Sequence, residues 1–229
     1  MPLSSFLYKL MMAVGATGVC VCLLLRRKRF DLRVWQCFVF SALAVAVALL
    51  GAKILYTLEN WEAVQKNGFS WSGVSLFGSV FLIPALMPLV GKMFGLRPGQ
   101  ATDICGPCAT VMLGFVRAGC RFSGCCGGWW IQVGERGFRW PTQVVESIGA
   151  FAILGFLLQM EEDGECSGKL YPLFMVIYGG LRFVVEFFRD TVKPWIGLGH
   201  GQWFGLAAIL IGILWIKNIE VKQNENKKT

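Results

Sequence analysis

Tyr178, Arg182, Glu186 and Arg189 follow one another at intervals of four, four and three within an apolar segment. A helix displays residues so spaced on one face, and Arg182 can pair with Glu186 across one turn. Two readings of this face stay open. It is a structural ion pair that fixes helix packing, or it seats an anion. Two arginines against one glutamate leave surplus positive charge, and a guanidinium fork matches phosphate oxygens. Arg117 adds to the surplus. It stands with Arg121 in Arg117-Ala-Gly-Cys-Arg-Phe-Ser-Gly-Cys-Cys-Gly-Gly128. The glycines from Gly119 to Gly128, Gly124 among them, allow a tight re-entrant turn. They also allow a phosphate cradle, a weak signal without a Gly-Lys-Ser/Thr ending. Glu146, shortly after Pro141 and Gln143, and Asp103 are carboxylates at the edges of further apolar runs.

Cysteines are the second group. Cys105 and Cys108 form Cys-x-x-Cys, and Cys120, Cys125 and Cys126 follow. Three roles fit these spacings: small buried side chains in helix packing, a disulfide or redox pair, or metal ligands, which would have to converge in space. Cys20, Cys22 and Cys37 sit in apolar runs and read as packing. His200, the single histidine, lies in Gly199-His-Gly-Gln202. A loop histidine of this kind is more often solvated than catalytic, and no Ser-His-Asp set assembles around it.

The elements that must position these residues are membrane helices. The chain has 229 residues, 55% hydrophobic and 16% charged, with a mean hydropathy of +0.57. A soluble domain carries about 25% charge, so the polar surface is too small for a water-soluble globule. Disorder and a secreted disulfide scaffold are excluded by the same composition. Apolar runs at roughly 6–25, 34–58, 74–94, 104–116, 144–160, 170–188 and 202–216 predict a polytopic all-α bundle of about seven transmembrane helices. The fourth is short and holds Gly106 and Pro107. Arg26 to Arg29 follow the first run, the reverse of a cleaved signal peptide, so it reads as a retained helix. Lys and Arg in the first loop, the third loop and the tail place those segments in the cytoplasm. The N-terminus is then outside and the C-terminus cytoplasmic. The chain reads as one integral membrane domain, 1–229, with a polar tail at 217–229. A net charge of +8 reports topology, not nucleic-acid binding, because the basic residues are split among loops. By this topology the charged cluster falls near the outer leaflet, where a lipid headgroup or a translocated substrate would meet it.

Taken in order, the motifs resemble the prolipoprotein diacylglyceryl transferase family. Arg117-x-Gly-Cys-x-x-x-Gly-Cys-Cys-x-Gly128 is similar to its signature, in the branch with Gly-Cys-Cys. Gly73-Val-Ser-Leu-Phe-Gly78 resembles its third-helix motif, and Asp103 with Pro107 the start of the helix leading to the signature. Pro141-Thr-Gln-Val-Val-Glu146 resembles Pro-Ser/Thr-Gln-x-Tyr-Glu. Tyr178-Gly-Gly-Leu-Arg182-Phe-Val-Val-Glu186-Phe-Phe-Arg189 and Gly201-Gln202 match two further family patterns. The resemblance covers about residues 70–216.

It implies a transferase of the bacterial plasma (inner) membrane. Such an enzyme moves the diacylglyceryl group of phosphatidylglycerol onto the lipobox cysteine of a prolipoprotein, forming a thioether and releasing glycerol phosphate. The resemblance implies catalytic roles for Arg117, Arg182, Glu186 and Tyr178. It implies substrate binding by Asp103, Gly119, Gly124, Gln143, Glu146, Arg189 and Gln202, with no metal and no cofactor. The chain departs from the family at three points. Phe77 stands where many members carry His or Tyr, Cys120 replaces an asparagine, and Val145 replaces a tyrosine. Two rivals remain at this stage: a non-catalytic membrane protein that binds anionic lipid, and a membrane thiol-disulfide protein built on Cys105 and Cys108 or on the Cys120 to Cys126 cluster.

Overall fold

The computed structural model describes residues 3–68, 73–134, 136–163, 168–191 and 197–226. Its helices are α1 (Leu3–Arg26), α2 (Val34–Glu59), α3 (Trp61–Asn67), α4 (Leu76–Lys92), α5 (Pro98–Ser123), α6 (Thr142–Glu162), α7 (Leu170–Glu186) and α8 (His200–Asn226). A 3-10 turn, Arg27–Phe30, ends α1. All seven apolar runs are helical. Four helical stretches are long and apolar enough to cross a membrane: Leu3–Phe30, Val34–Glu59, Thr142–Glu162 and His200–Glu225. The other three runs fall short of that measure for different reasons. Helix α4 has 17 residues, and so has α7. Helix α5 has 26 residues but is polar on the inside, with Thr102, Asp103, Thr110 and Arg117 all buried.

Three features differ from the sequence reading. The fourth run is no weak span: Pro98 occupies the first turn, where a missing N–H costs nothing, and α5 runs from there through Pro107 to Ser123. The loop after it is not wholly irregular, so the fold is not purely α. Strands β1 (Trp130–Val133) and β2 (Arg136–Arg139) pair antiparallel, with Trp130 opposite Arg139. The polar stretch from Lys217 continues α8 as helix to Asn226. Lys227 and Lys228 of the basic tail lie outside the described residues.

The bundle is turned inside out relative to a soluble protein. Phe38, Leu49, Ile54, Phe156, Leu210 and Leu214 are exposed on its flanks, while Arg117, Glu146, Arg182 and Glu186 are buried. This is the pattern expected where lipid, not water, meets the outer face. Helix α5 is central, packing against α1, α4, α6 and α7. The helices come close where side chains vanish: a Cβ on Gly51 of α2 would fall within 2.4 Å of the Gly78 carbonyl oxygen of α4.

The two ends of the bundle hold different polar groups. At one end Arg26 binds Glu161 at 2.5 Å and donates to the Asp103 and Ile104 carbonyls, tying α1, α5 and α6. There the Asp103 carboxylate accepts from the Gly168 and Leu170 amides at 2.5 and 2.9 Å and holds the start of α7. Lys169 reaches Glu220 of α8 at 2.9 Å. The opposite end carries the candidate site.

Candidate active site

A chain of alternating charges joins α5, α6 and α7. Arg117 of α5 lies 3.2 Å from one Glu146 oxygen, and Arg182 of α7 donates to the other at 2.6 Å. The second Arg182 nitrogen meets Glu186 at 2.8 Å, the pair that the four-residue interval predicted. Glu186 also binds Arg189 at 3.2 Å and accepts from the Thr191 hydroxyl at 3.1 Å. Three guanidiniums thus share two carboxylates, leaving one positive charge in a buried place. Burying charge costs several kcal/mol per ion unless it is fully paired. A net positive cluster therefore stores affinity for an anion.

The hydrogen-bond ledger agrees. The Nε atoms of Arg182 and Arg189 and Nε2 of Gln202 are buried with no acceptor, and Arg117 Nε has only its ion-pair contact with Glu146, outside hydrogen-bond geometry. Native proteins leave few such groups, so a cluster of them is a feature that packing alone does not account for. The Tyr178 hydroxyl is buried near Arg117, also without a bond of ordinary geometry. Its ring stacks on Phe174 and touches Phe77. Gln202 spends its oxygen on the Gly199 amide at 2.9 Å, which fixes the start of α8 and leaves its amide nitrogen free.

Arg117, Arg182 and Arg189 line a cavity of about 740 Å³. Its polar end has Arg117, Arg182, Glu186, Arg189, Thr191 and His200; its walls have Leu23, Phe40, Phe77, Ile104 and Met112. Along α5 the lining runs from Arg117 down to Ile104, about 20 Å at 1.5 Å per residue. One leaflet of hydrocarbon is about 15 Å deep. The cavity therefore fits a molecule with an anionic head and long apolar tails.

The loop after α5 forms one wall. Gly124 takes a left-handed conformation (φ 71) that ends the helix, and Cys126 takes another (φ 61). Thr142 and Gln143, at the start of α6, donate to the Cys126 and Cys125 carbonyls at 2.7 and 2.6 Å. Gly128 bridges Arg189, so this loop also steadies the last arginine. In the loop, outside the helices, the Cys126 thiol is held well below the ordinary thiol range. The hydrogen bond from Cys120 is the largest cause; burial opposes it, and Arg189 and Arg117 reinforce it.

The structure brings together Arg117, Gln143, Glu146, Tyr178, Arg182, Glu186, Arg189 and Gln202. Gly119 serves nearby as a contact surface: a Cβ there would meet Met11 and Tyr8 of α1 at 3.1 and 3.2 Å. Asp103 is not among them. Fourteen residues of helix separate it from Arg117, about 21 Å, and its carboxylate is spent on α7. Arg121 is exposed. Sequence reading missed Thr191, whose contact with Glu186 no spacing rule signals. It also read His200 as a solvated loop residue. His200 is exposed, but it begins α8 and lines the same cavity as the arginines. Cys105 and Cys108 are free thiols buried on α5, and both line the apolar part of the same cavity.

A family model for prolipoprotein diacylglyceryl transferase matches residues 1–217. The chain belongs to the prolipoprotein diacylglyceryl transferase family. It is 30% identical over 230 residues to the phosphatidylglycerol–prolipoprotein diacylglyceryl transferase 2 of Clostridium perfringens, covering 90% of this chain and 88% of that protein. The corresponding transferase of Clostridium tetani is 27% identical over 233 residues, covering 93% and 92%. That of Streptococcus pyogenes serotype M1 is 24% identical over 203 residues, covering 78% and 77%. Membership extends the resemblance to α1 and α2, whose residues form part of the cavity.

One member of the site is testable through its neighbour alone. Gly201 lies so close to the ion chain that a Cβ would fall 2.7 Å from Glu186 Oε2 and 3.1 Å from Arg182 Nε. The atoms displaced would be side-chain ends, not backbone. Gly201→Ala is expected to leave the fold intact, within about 1 kcal/mol by thermal unfolding in detergent. It is expected to lower turnover about 10- to 100-fold by moving Glu186.

Proposed function

We propose that this chain transfers the diacylglyceryl group of phosphatidylglycerol to the lipobox cysteine of a prolipoprotein, the reaction named for its relatives. The observation that carries the reading is the set of unmet N–H donors at the polar end of an apolar cavity. A phosphodiester with two acyl tails satisfies both ends at once. In the reaction the acceptor sulfur bonds to the terminal glyceryl carbon. That carbon's bond to the phosphate oxygen breaks, and glycerol phosphate leaves with the electron pair. Arg117 and Arg182 hold the phosphate and stabilise the charge that builds on its departing oxygen. Glu146 and Glu186 fix the two forks, Arg189 assists, and Tyr178 supplies a hydroxyl donor.

The acceptor thiol also has a proton to lose. Phe77, at the position where many family members carry His or Tyr, is packed against Phe81, Tyr178 and Phe204 and can take no proton. His200 on the cavity rim takes that part. His200→Gln is expected to lower turnover at neutral pH at least tenfold while leaving lipid binding unchanged. The deciding assay mixes purified protein, phosphatidylglycerol and a lipobox peptide and reads the peptide mass. A gain of one diacylglyceryl unit is expected. Folded protein that binds the lipid without modifying the peptide would instead make it an anionic-lipid-binding protein.

The chain crosses the bacterial plasma membrane seven times, with its N-terminus outside. Two observations support this. Seven long helices run between the two ends, and Arg26 to Arg29, Lys92, Arg97 and Lys217 all belong to the end away from the site. The site then faces the outer leaflet, where a secreted prolipoprotein arrives. A green fluorescent protein fused to the C-terminus is expected to fluoresce, as a cytoplasmic fusion does.

A further inference from the structure

Three thiols stand at the mouth of the cavity, and nothing in the phosphate chemistry above uses them. The Sγ atoms of Cys120, Cys125 and Cys126 all lie within 4.8 Å of one another, and all three residues line the cavity. A tetrahedral ion with metal–sulfur bonds of about 2.3 Å holds its sulfurs about 3.8 Å apart. Small side-chain rotations close the difference.

The loop is built to hold these thiols in place. Cys126 occupies a left-handed conformation that a glycine would adopt freely, although Gly124, Gly127 and Gly128 surround it. A cysteine is kept where the backbone disfavours it. The carbonyls of Cys125 and Cys126 are pinned by Gln143 and Thr142 of α6, and the Ser123 hydroxyl lies 3.0 Å from Cys125 Sγ. Such outer contacts are what orient metal ligands.

We propose that Cys120, Cys125 and Cys126 bind one zinc-class, thiophilic metal ion as thiolates, with a fourth position open to the cavity where the acceptor cysteine binds. Thiolate ligands select soft and borderline ions over calcium or magnesium. Three protein ligands with one open position is the pattern of a catalytic site, not a closed structural one. Three thiolates around a dication carry one net negative charge, which the neighbouring Arg117 and Arg189 favour. The acceptor role rests on the transferase reading; the metal site does not. In that role the acceptor thiol binds the ion as a thiolate, its proton passing to His200 at the rim. The sulfur then attacks the glyceryl carbon as before, and the ion keeps its charge and its three ligands. A free thiol is only a few per cent ionised near pH 7, so full ionisation is worth about 30-fold in rate.

The test uses the full chain purified in detergent under reductant. Zinc is measured by mass spectrometry, then exchanged for cobalt, whose thiolate complexes absorb in the near ultraviolet. One ion per chain is expected, retained in Cys20→Ser and lost in the Cys120→Ser/Cys126→Ser double variant. Should that variant misfold, Cys125→Ser, at an exposed position, is expected to weaken binding without unfolding. Adding a lipobox peptide should intensify the cobalt–thiolate band, and a peptide with serine for cysteine should not. Chelation should slow transfer about 30-fold at pH 7, with recovery on adding zinc. Absence of metal, or two of the three thiols found as a disulfide by alkylation and mass measurement, overturns the site. Bound metal with a peptide-insensitive spectrum and chelator-insensitive turnover overturns the acceptor role. A spectrum that responds to peptide while no lipid is ever transferred overturns the transferase reading instead, and the metal site stands.

Discussion

Replacing Arg182 with alanine is expected to lower diacylglyceryl transfer by about 10³-fold or more, the scale seen when a preorganised charge-stabilising donor is removed. Arg182 is the hinge of the ion chain. One of its nitrogens holds Glu146 at 2.6 Å, another holds Glu186 at 2.8 Å, and its Nε remains without an acceptor. It therefore fixes two carboxylates and still offers a donor to the substrate phosphate. Arg182→Lys separates these roles. An ammonium keeps the charge but cannot bridge both carboxylates and donate to a third partner. Turnover in Arg182→Lys is expected to stay at least about 100-fold down, with the loss in kcat rather than in lipid affinity. If lysine restores full turnover, the fork geometry has no part in the chemistry. Peptide mass gives turnover, and lipid-dependent thermal stabilisation gives affinity.

Glu146→Gln is expected to damage the fold and the activity together. The Glu146 side chain is fully buried and lies between Arg117 and Arg182. Removing its charge leaves three guanidiniums facing one carboxylate in a low-dielectric setting. Breaking a buried pair in this way costs about 3–5 kcal/mol, visible as a lowered unfolding temperature in detergent. The glutamine keeps the shape and a carbonyl for Arg182, so the loss reports charge rather than a hole. Phosphatidylglycerol, whose phosphate brings a negative charge to the same guanidiniums, is expected to raise the unfolding temperature of Glu146→Gln by more than that of the wild type. A neutral-headed diacylglycerol should give no such excess. Equal stabilisation by both lipids would place the phosphate elsewhere.

Much of this molecule was legible in one dimension. Apolar runs separated by basic loops located all seven long helices, because a segment surrounded by lipid must satisfy its own backbone and has no other choice. The spacing of Tyr178, Arg182 and Glu186 placed them on one face of α7, because the helix repeat is fixed by backbone geometry; Arg189 lies beyond the helix end and is held by its bridge to Gly128. Charge counting then gave a surplus that called for an anion. Where local periodicity failed, it failed for a physical reason. Helix α5 looked short because its buried face carries Thr102, Asp103, Thr110 and Arg117, polar groups that only neighbouring helices make tolerable. The hairpin after it was hidden in a run of glycines and tryptophans. Asp103 and Arg117 looked alike as charges at the edge of one span, yet a helix keeps them about 21 Å apart, and the fold gives the first to α7 and the second to the cavity. The same holds for His200 and for the three thiols. Their residue types were plain from the start, but a loop's path is set by contacts from other elements, here those from Thr142 and Gln143 of α6. Sequence by itself determined which side chains could do chemistry and which helices carry them. Tertiary packing alone decided which of them share one cavity, because convergence from four different helices has no period to read.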